Sequence, residues 1–189
     1  MTLYPNCTDY PTEVLIVLDS LLVALENDQN NNEGNGEDDS LFLNYLSDNY
    51  SNLVVDGVIN SLEASLITDI NVDGLGINNI DGIAYFTNLK SLSCNNNNLT
   101  SIPELPNQLE TLNLRSNNIS NINSLPQSLL DVDLRNNSLI TVPEFPNQIE
   151  TLKLCFNNFT SIPSLPDSLR VLYFAYNNLV SLPTLPSNT

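Results

Sequence analysis

Two sets of carboxylates and one group of basic and aromatic side chains are the residues of this chain whose types and spacing could do chemistry. Asp69-Ile70-Asn71-Val72-Asp73-Gly74 has the D-x-N-x-D-G opening of a calcium loop, in which alternate side chains converge on one ion. The twelfth position, where a bidentate Glu belongs, is Ile80, and Asp81 falls one residue late. Ile70 and Val72 also alternate as core strand residues do, so this stretch is expected to be structural and to hold no metal. Asp131 and Asp133 stand at i, i+2 and share a strand face, an arrangement that invites comparison with the carboxylate pair of a glycosidase. A strand face offers no pocket, the chain contains no His, and basic residues flank the pair, so hydrolysis is not expected. Cys7, Cys94 and Cys155 form no C-x-x-C, and Cys94 falls where neighbouring repeats have Leu, as a small core residue. No catalytic group and no cofactor is expected.

Arg115, Arg135, Lys153, Phe156, Tyr173 and Tyr176 read differently, because a repeat gathers them on one face. The segments 109–128, 129–148, 149–168 and 169–188 align without a gap at a period of 20 residues. Apolar residues recur at 109/129/149/169, 112/132/152/172 and 114/134/154/174, Asn at 117/137/157/177, and Pro at 126/146/166/186. A period in this range marks stacked units that bury their apolar faces only against one another. Leu112 and Leu114 point inward about an outward Asn113, the alternation of a short strand, and stacking such strands makes a parallel sheet. The recurring Asn lies where the chain turns inward, and its amide can satisfy backbone groups that no strand pairs. Pairs such as Pro143/Pro146 and Pro163/Pro166 forbid a helix on the return, which is expected to be extended or polyproline-like.

In that register the outward strand positions are 111, 113, 115 and 116 and their equivalents. They carry three of the five basic residues, Arg115, Arg135 and Lys153, beside Phe156, Tyr173 and Tyr176. Arg115 and Arg135 are expected on adjacent strands about 5 Å apart. Aromatic and Arg enrichment on an exposed face is the composition of an interaction hot spot. The bland alternative is that Asp131 and Asp133 pair with Arg115, Arg135 and Lys153 as solvated ions worth under about 1 kcal/mol each. It leaves the aromatics unexplained.

Charge is unevenly placed along the 189 residues. The net charge is −17, yet residues 1–84 hold fifteen Asp/Glu and no Lys or Arg, while residues 85–189 hold seven acids and all five basic residues. So acidic a chain is not expected to bind nucleic acid or an anionic membrane. The N-terminus lacks a basic n-region, and Val14–Leu25 is interrupted by Asp19 and too short to span a bilayer. A cytoplasmic chain, or one exported without a cleaved signal, is expected.

Residues 1–40 read as an N-terminal helix over Val14–Leu25 followed by an acidic, disordered linker, Asn27–Ser40. Residues 41–66 read as a helical cap for the open first layer, with one helix running to Leu46 and another over Val58–Leu66. Residues 67–189 form the array of about six turns, its first turn 22 residues long and lacking the Asn, whose place Leu75 takes. At the other end no polar cap follows Leu185-Pro186, so Phe174 and Leu179 are expected at an open end, cut short or packed on another molecule.

The spacing L-x-x-L-x-L-x-x-N-x-L with its I/L-P-x-L-P element resembles the bacterial short leucine-rich-repeat class found in type III-secreted effectors. The stretch IDGIAYFTNLKSLSCNNNNLTSI resembles the opening repeats of surface and secreted leucine-rich-repeat proteins of Bacteroidetes and of internalin-like proteins. The resemblance covers about residues 67–189. It implies an α/β solenoid: a right-handed coil with a short parallel sheet on its concave face and a small helical N-terminal cap. It also implies a non-enzymatic module that binds a protein partner on that face, in an effector or a surface protein. A spacer scaffold without a specific ligand is the second reading.

Overall fold

In the computed structural model, residues 2–4, 41–181 and 184–186 are described. The expected helix Val14–Leu25 and the acidic linker Asn27–Ser40 lie outside these residues. The array is a parallel sheet of six strands, β4 (Asp69–Asn71), β5 (Ser91–Ser93), β6 (Thr111–Asn113), β7 (Asp131–Asp133), β8 (Thr151–Lys153) and β9 (Val171–Tyr173). Successive strands pair one full repeat apart, so Ile70, Leu92, Leu112, Val132, Leu152 and Leu172 form one column. Every member of that column is buried. Among the described residues the return segments hold no α-helix; four of them begin a turn at a proline, where the Pro106, Pro126, Pro146 and Pro166 carbonyls accept from the amides of Leu109, Leu129, Ile149 and Leu169. Only the longer first turn departs, with a short 3-10 turn at Ile83–Tyr85.

The asparagines hold the corners, and they act backwards. Asn117 accepts the Leu99 amide of the preceding turn at 3.0 Å and donates to the Cys94 carbonyl of that turn and to its own Leu114 carbonyl. Asn137, Asn157 and Asn177 repeat the pattern with the Ile119, Leu139 and Phe159 amides. Each side chain thereby satisfies groups of two turns that the sheet cannot reach. This polarity explains why the first turn tolerates Leu75. Its corner is served by Asn97, which accepts the Leu75 and Ile77 amides and donates to the Val72 carbonyl. An Asn at position 75 would have reached back into the cap, where no repeat stands.

The cap comprises α1 (Leu41–Asn49), a hairpin of β2 (Val54–Val55) and β3 (Val58–Ile59), and α2 (Ser61–Ala64). The helix expected over Val58–Leu66 is thus shorter, and Val58–Ile59 is a strand. Asp56 and Gly57 both have positive φ, 50° and 76°, the two-residue turn that a D-G pair favours in a hairpin. Helix starts only after Asn60, whose side chain accepts the Leu62 amide as an N-cap. Phe42, Leu46, Leu53 and Ile59 close the first layer of the core. Gly82 (φ 89°) lies so near that a Cβ there would stand 2.5 Å from the Ile59 side chain.

The far end of the sheet differs from the expected open end. β1 (Thr2–Tyr4) adds parallel to β9, with Thr2 opposite Val171 and Tyr4 opposite Tyr173. The sheet order is therefore β1-β9-β8-β7-β6-β5-β4, and the chain's own beginning occupies the edge that its last repeat would leave unpaired. Phe174 and Leu179 are partly buried against the core.

Replacing Asn117 by Ala leaves the Leu99 amide and the Cys94 carbonyl without this partner, each costing about 1–3 kcal/mol, while the Leu114 carbonyl still accepts from Asn137. Urea denaturation should show Asn117→Ala destabilised by at least about 2 kcal/mol. Asn118→Ala, at the exposed neighbour, should stay within about 0.5 kcal/mol of the parent. Equal effects would show that the ladder is not what holds the corner.

Candidate protein interface

The concave face divides into a polar half and an aromatic half. Over the first turns the Asp73 carboxylate accepts from the Ser93 hydroxyl at 2.8 Å and the Asn95 amide at 2.7 Å, and Asn95 Oδ1 accepts the Arg115 amide at 2.9 Å. The calcium-like stretch is thus knitted into the next turn, and Ile80 is fully buried. Among the described residues no group of three or more His, Cys, Asp or Glu is placed to hold a metal ion. Asp131 is exposed, whereas Asp133 is buried and held by Arg135. A cleft of about 200 Å³ lined by Ile102, Pro103, Glu104, Asn123 and Ser124 is smaller than the roughly 300–1,000 Å³ of ligand pockets.

The six residues proposed from the sequence are brought onto this face in unlike environments. Arg115 is half-buried. Arg135 is buried and grips Asp133 through Nε and Nη2, the shortest contact being 2.6 Å. Side chains at i and i+2 share a face of the strand, so this pair forms within one chain segment. Lys153 lies 5.9 Å from the centre of the Tyr173 ring, and Tyr173 is itself buried. Phe156 and Tyr176 are exposed, 43% and 63%, and stack with centroids 4.3 Å apart and planes 5° from parallel.

Backbone geometry singles out those last two. Asn96, Ser116, Asn136, Phe156 and Tyr176 occupy one position of successive turns, and all have φ between 53° and 57°. The corner demands this left-handed conformation in every turn. Asn enters it readily; a bulky aromatic does so at a cost of roughly 1–2 kcal/mol. One stacked pair returns about 0.5–1.5 kcal/mol, which does not offset two strained residues. The repeat register alone identified the outward position, but the strain is visible only in the backbone.

Two features escaped sequence reasoning. Cys155, counted among the outward residues, is disulfide-bonded and fully buried. With Tyr173 it forms a small apolar cluster separate from the main core, flanked by Val171 and Ala175. Cys94 behaves as expected: it is free and buried, and burial, aided by Asp73, pushes its thiol up to about 12. It is an inert core residue.

With this geometry in view, residues 87–127 match a family described as leucine-rich repeats, in two copies. The array is a leucine-rich-repeat coil. Among solved structures it is similar to YopM from Yersinia enterocolitica WA-314, at 33% identity and a TM-score of 0.61 over 64% of this chain. The chain spans only 27% of the length of that protein. A Shigella effector leucine-rich-repeat domain, 23% identical with a TM-score of 0.60, covers 81% of this chain and 70% of its own length, and shares the fold. No curated protein matches the sequence. Among the described residues no helix is long and apolar enough to cross a membrane.

Removing one member of a buried ion pair leaves the other charge uncompensated, at about 3–5 kcal/mol. Arg135→Ala should therefore destabilise the fold by about 3 kcal/mol. Arg170→Ala, which removes an exposed pair to Glu150 at 3.7 Å, should cost under about 0.5 kcal/mol. Chemical denaturation of the two variants checks the ranking, and equal midpoints would contradict it.

Proposed function

We propose that the array is a protein-interaction module, non-enzymatic in itself, whose partner seats on the aromatic half of the concave face. Phe156 and Tyr176 are the anchors, and Arg115 and Lys153 flank them. Arg135 and Tyr173 support the surface from beneath, since both are buried in the free protein. The observation that carries this reading is the strained, exposed aromatic pair. Its cost is borne at a position where Asn and Ser serve the other turns, and such strain persists at sites kept for function. A spacer scaffold would have no use for it. The likeness to YopM and to a Shigella effector domain supports an effector or surface role for the protein that carries this array.

Stability and binding should move in opposite directions. Phe156→Asn/Tyr176→Asn is expected to melt at or above the parent temperature, because Asn accepts the left-handed corner. The same double variant should lose a captured protein partner by at least about thirtyfold in affinity, the loss of a single hot-spot residue. Isothermal titration against that partner and calorimetric melting read the two effects. Unchanged affinity in a folded double variant would remove the anchor assignment, and a clear fall in melting temperature would make the pair structural.

A further inference from the structure

We propose that the outer face of the cap is a second docking surface, and that its partner is a cationic amphipathic helix of another protein. The surface is separate from the concave-face site, because the cap adjoins the β4 end of the sheet while Phe156 and Tyr176 follow β8 and β9 at the other. Three neighbouring elements build it. In the hairpin, Val55 and Val58 stand directly opposite each other and face outward, whereas the next pair, Val54 and Ile59, turns toward the core. In and after α2, the Ser65 and Leu66 amides donate to the Ser61 and Glu63 carbonyls, so the helical turn continues and Leu62 and Leu66 share one side of it. Tyr85 joins the two. Its ring and the Ile59 side chain both stand beside Gly82, 3.7 Å and 2.5 Å from where a Cβ there would lie, and the Asn88 side chain donates to the Ser65 carbonyl at 2.7 Å. Val55, Val58, Leu62, Leu66 and Tyr85 are between 52% and 74% exposed. Single exposed apolar residues are ordinary on a protein surface; five on elements that touch one another mark a docking patch.

Charge selects the occupant. Residues 41–89 hold six Asp/Glu and no Lys or Arg. Asp56 lies in the turn between Val55 and Val58, Glu63 beside Leu62, and Asp81 beside Gly82, so acids are interleaved with the apolar residues. The first basic residue that follows, Lys90, is engaged by Glu110 at 2.8 Å. A partner that buries the apolar side chains must therefore bring its own cations to these carboxylates. A second copy of the cap would bring the same acids against them. The chain's own apolar stretch, Val14–Leu25, carries Asp19, lies between Glu13 and Glu26, and brings no cation. An anionic membrane is repelled for the same reason. A patch drawn from a hairpin, a helix and a turn is broad rather than linear. It suits a helix with apolar residues at i, i+3, i+4 and i+7 and Lys or Arg along both sides of that stripe.

The probe is a synthetic peptide of about eighteen residues, long enough to form a helix, with Leu at i, i+3, i+4 and i+7 and Lys elsewhere. Titrated calorimetrically into the full chain, it should bind, and a counterpart with Glu in place of each Lys should not. Because the whole chain is acidic, attraction alone does not place the peptide; the uncharged variants do. Leu62→Ser/Leu66→Ser should weaken binding at least about tenfold, since the two side chains lose their apolar contact area. Val55→Thr/Val58→Thr, which keeps the β-branching of the hairpin, should weaken it as well. Phe156→Asn/Tyr176→Asn should bind the peptide as the parent does, whatever becomes of the concave-face partner. Unchanged affinity in both cap variants, or a loss in the concave-face variant alone, would overturn the proposal. So would a parent dimer in sedimentation that Leu62→Ser/Leu66→Ser turns to monomer, which would make a second copy the occupant. A melting temperature of either cap variant clearly below that of the parent would mean that the chain itself covers these residues, and would overturn it too.

Discussion

A chain that turns every twenty residues leaves amide and carbonyl groups at each inward corner, facing apolar side chains, where neither a neighbouring strand nor water can pair them. The asparagine side chain at 97, 117, 137, 157 and 177 satisfies them, accepting from one turn and donating to two. Everything else in the coil is set by that requirement. The corner fixes the pitch between strands, the pitch aligns the column from Ile70 to Leu172, and the column makes the concave face a regular lattice of outward positions. Because each asparagine serves the turn before it, the array has a direction. Its first turn can dispense with the residue, whereas its last strand needs another device, and β1 supplies the sheet partner there.

The same corner puts one residue per turn in the left-handed region. Asn96 and Asn136 meet the demand at little cost; Ser116, Phe156 and Tyr176 meet it under strain, and the two aromatics remain exposed. The concave face is thus graded. Its early turns are tied by hydrogen bonds among Asp73, Ser93 and Asn95, and its late turns carry stacked rings, a buried Asp133–Arg135 pair and a buried Cys155.

Much of the fold was legible because the repeat states it several times over. Strand positions, the inward Cys94 and the non-helical return all follow from period and side-chain type. What the sequence hid was whatever depends on contacts outside the repeat. The Asp56-Gly57 turn converted part of an expected helix into a hairpin, although the D-G pair was a readable signal. The seating of Thr2–Tyr4 beside β9 links the ends of the chain, and no local pattern encodes it. At the candidate site, alternation predicted six side chains on one face but said nothing of their burial. Arg135 turned inward upon Asp133, and Tyr173 came to lie under cover.

Hydrogen exchange of the amides that the asparagines accept tests the central constraint most directly. The Leu99, Ile119 and Leu139 amides bond to a side chain eighteen residues ahead rather than to any strand. If the corners hold the coil, these amides exchange as slowly as those of Leu92, Leu112 and Val132 within the sheet, opening only with the array as a whole. Rapid exchange at the corners with a protected sheet would show that the strands hold the coil and that the asparagines merely fill it.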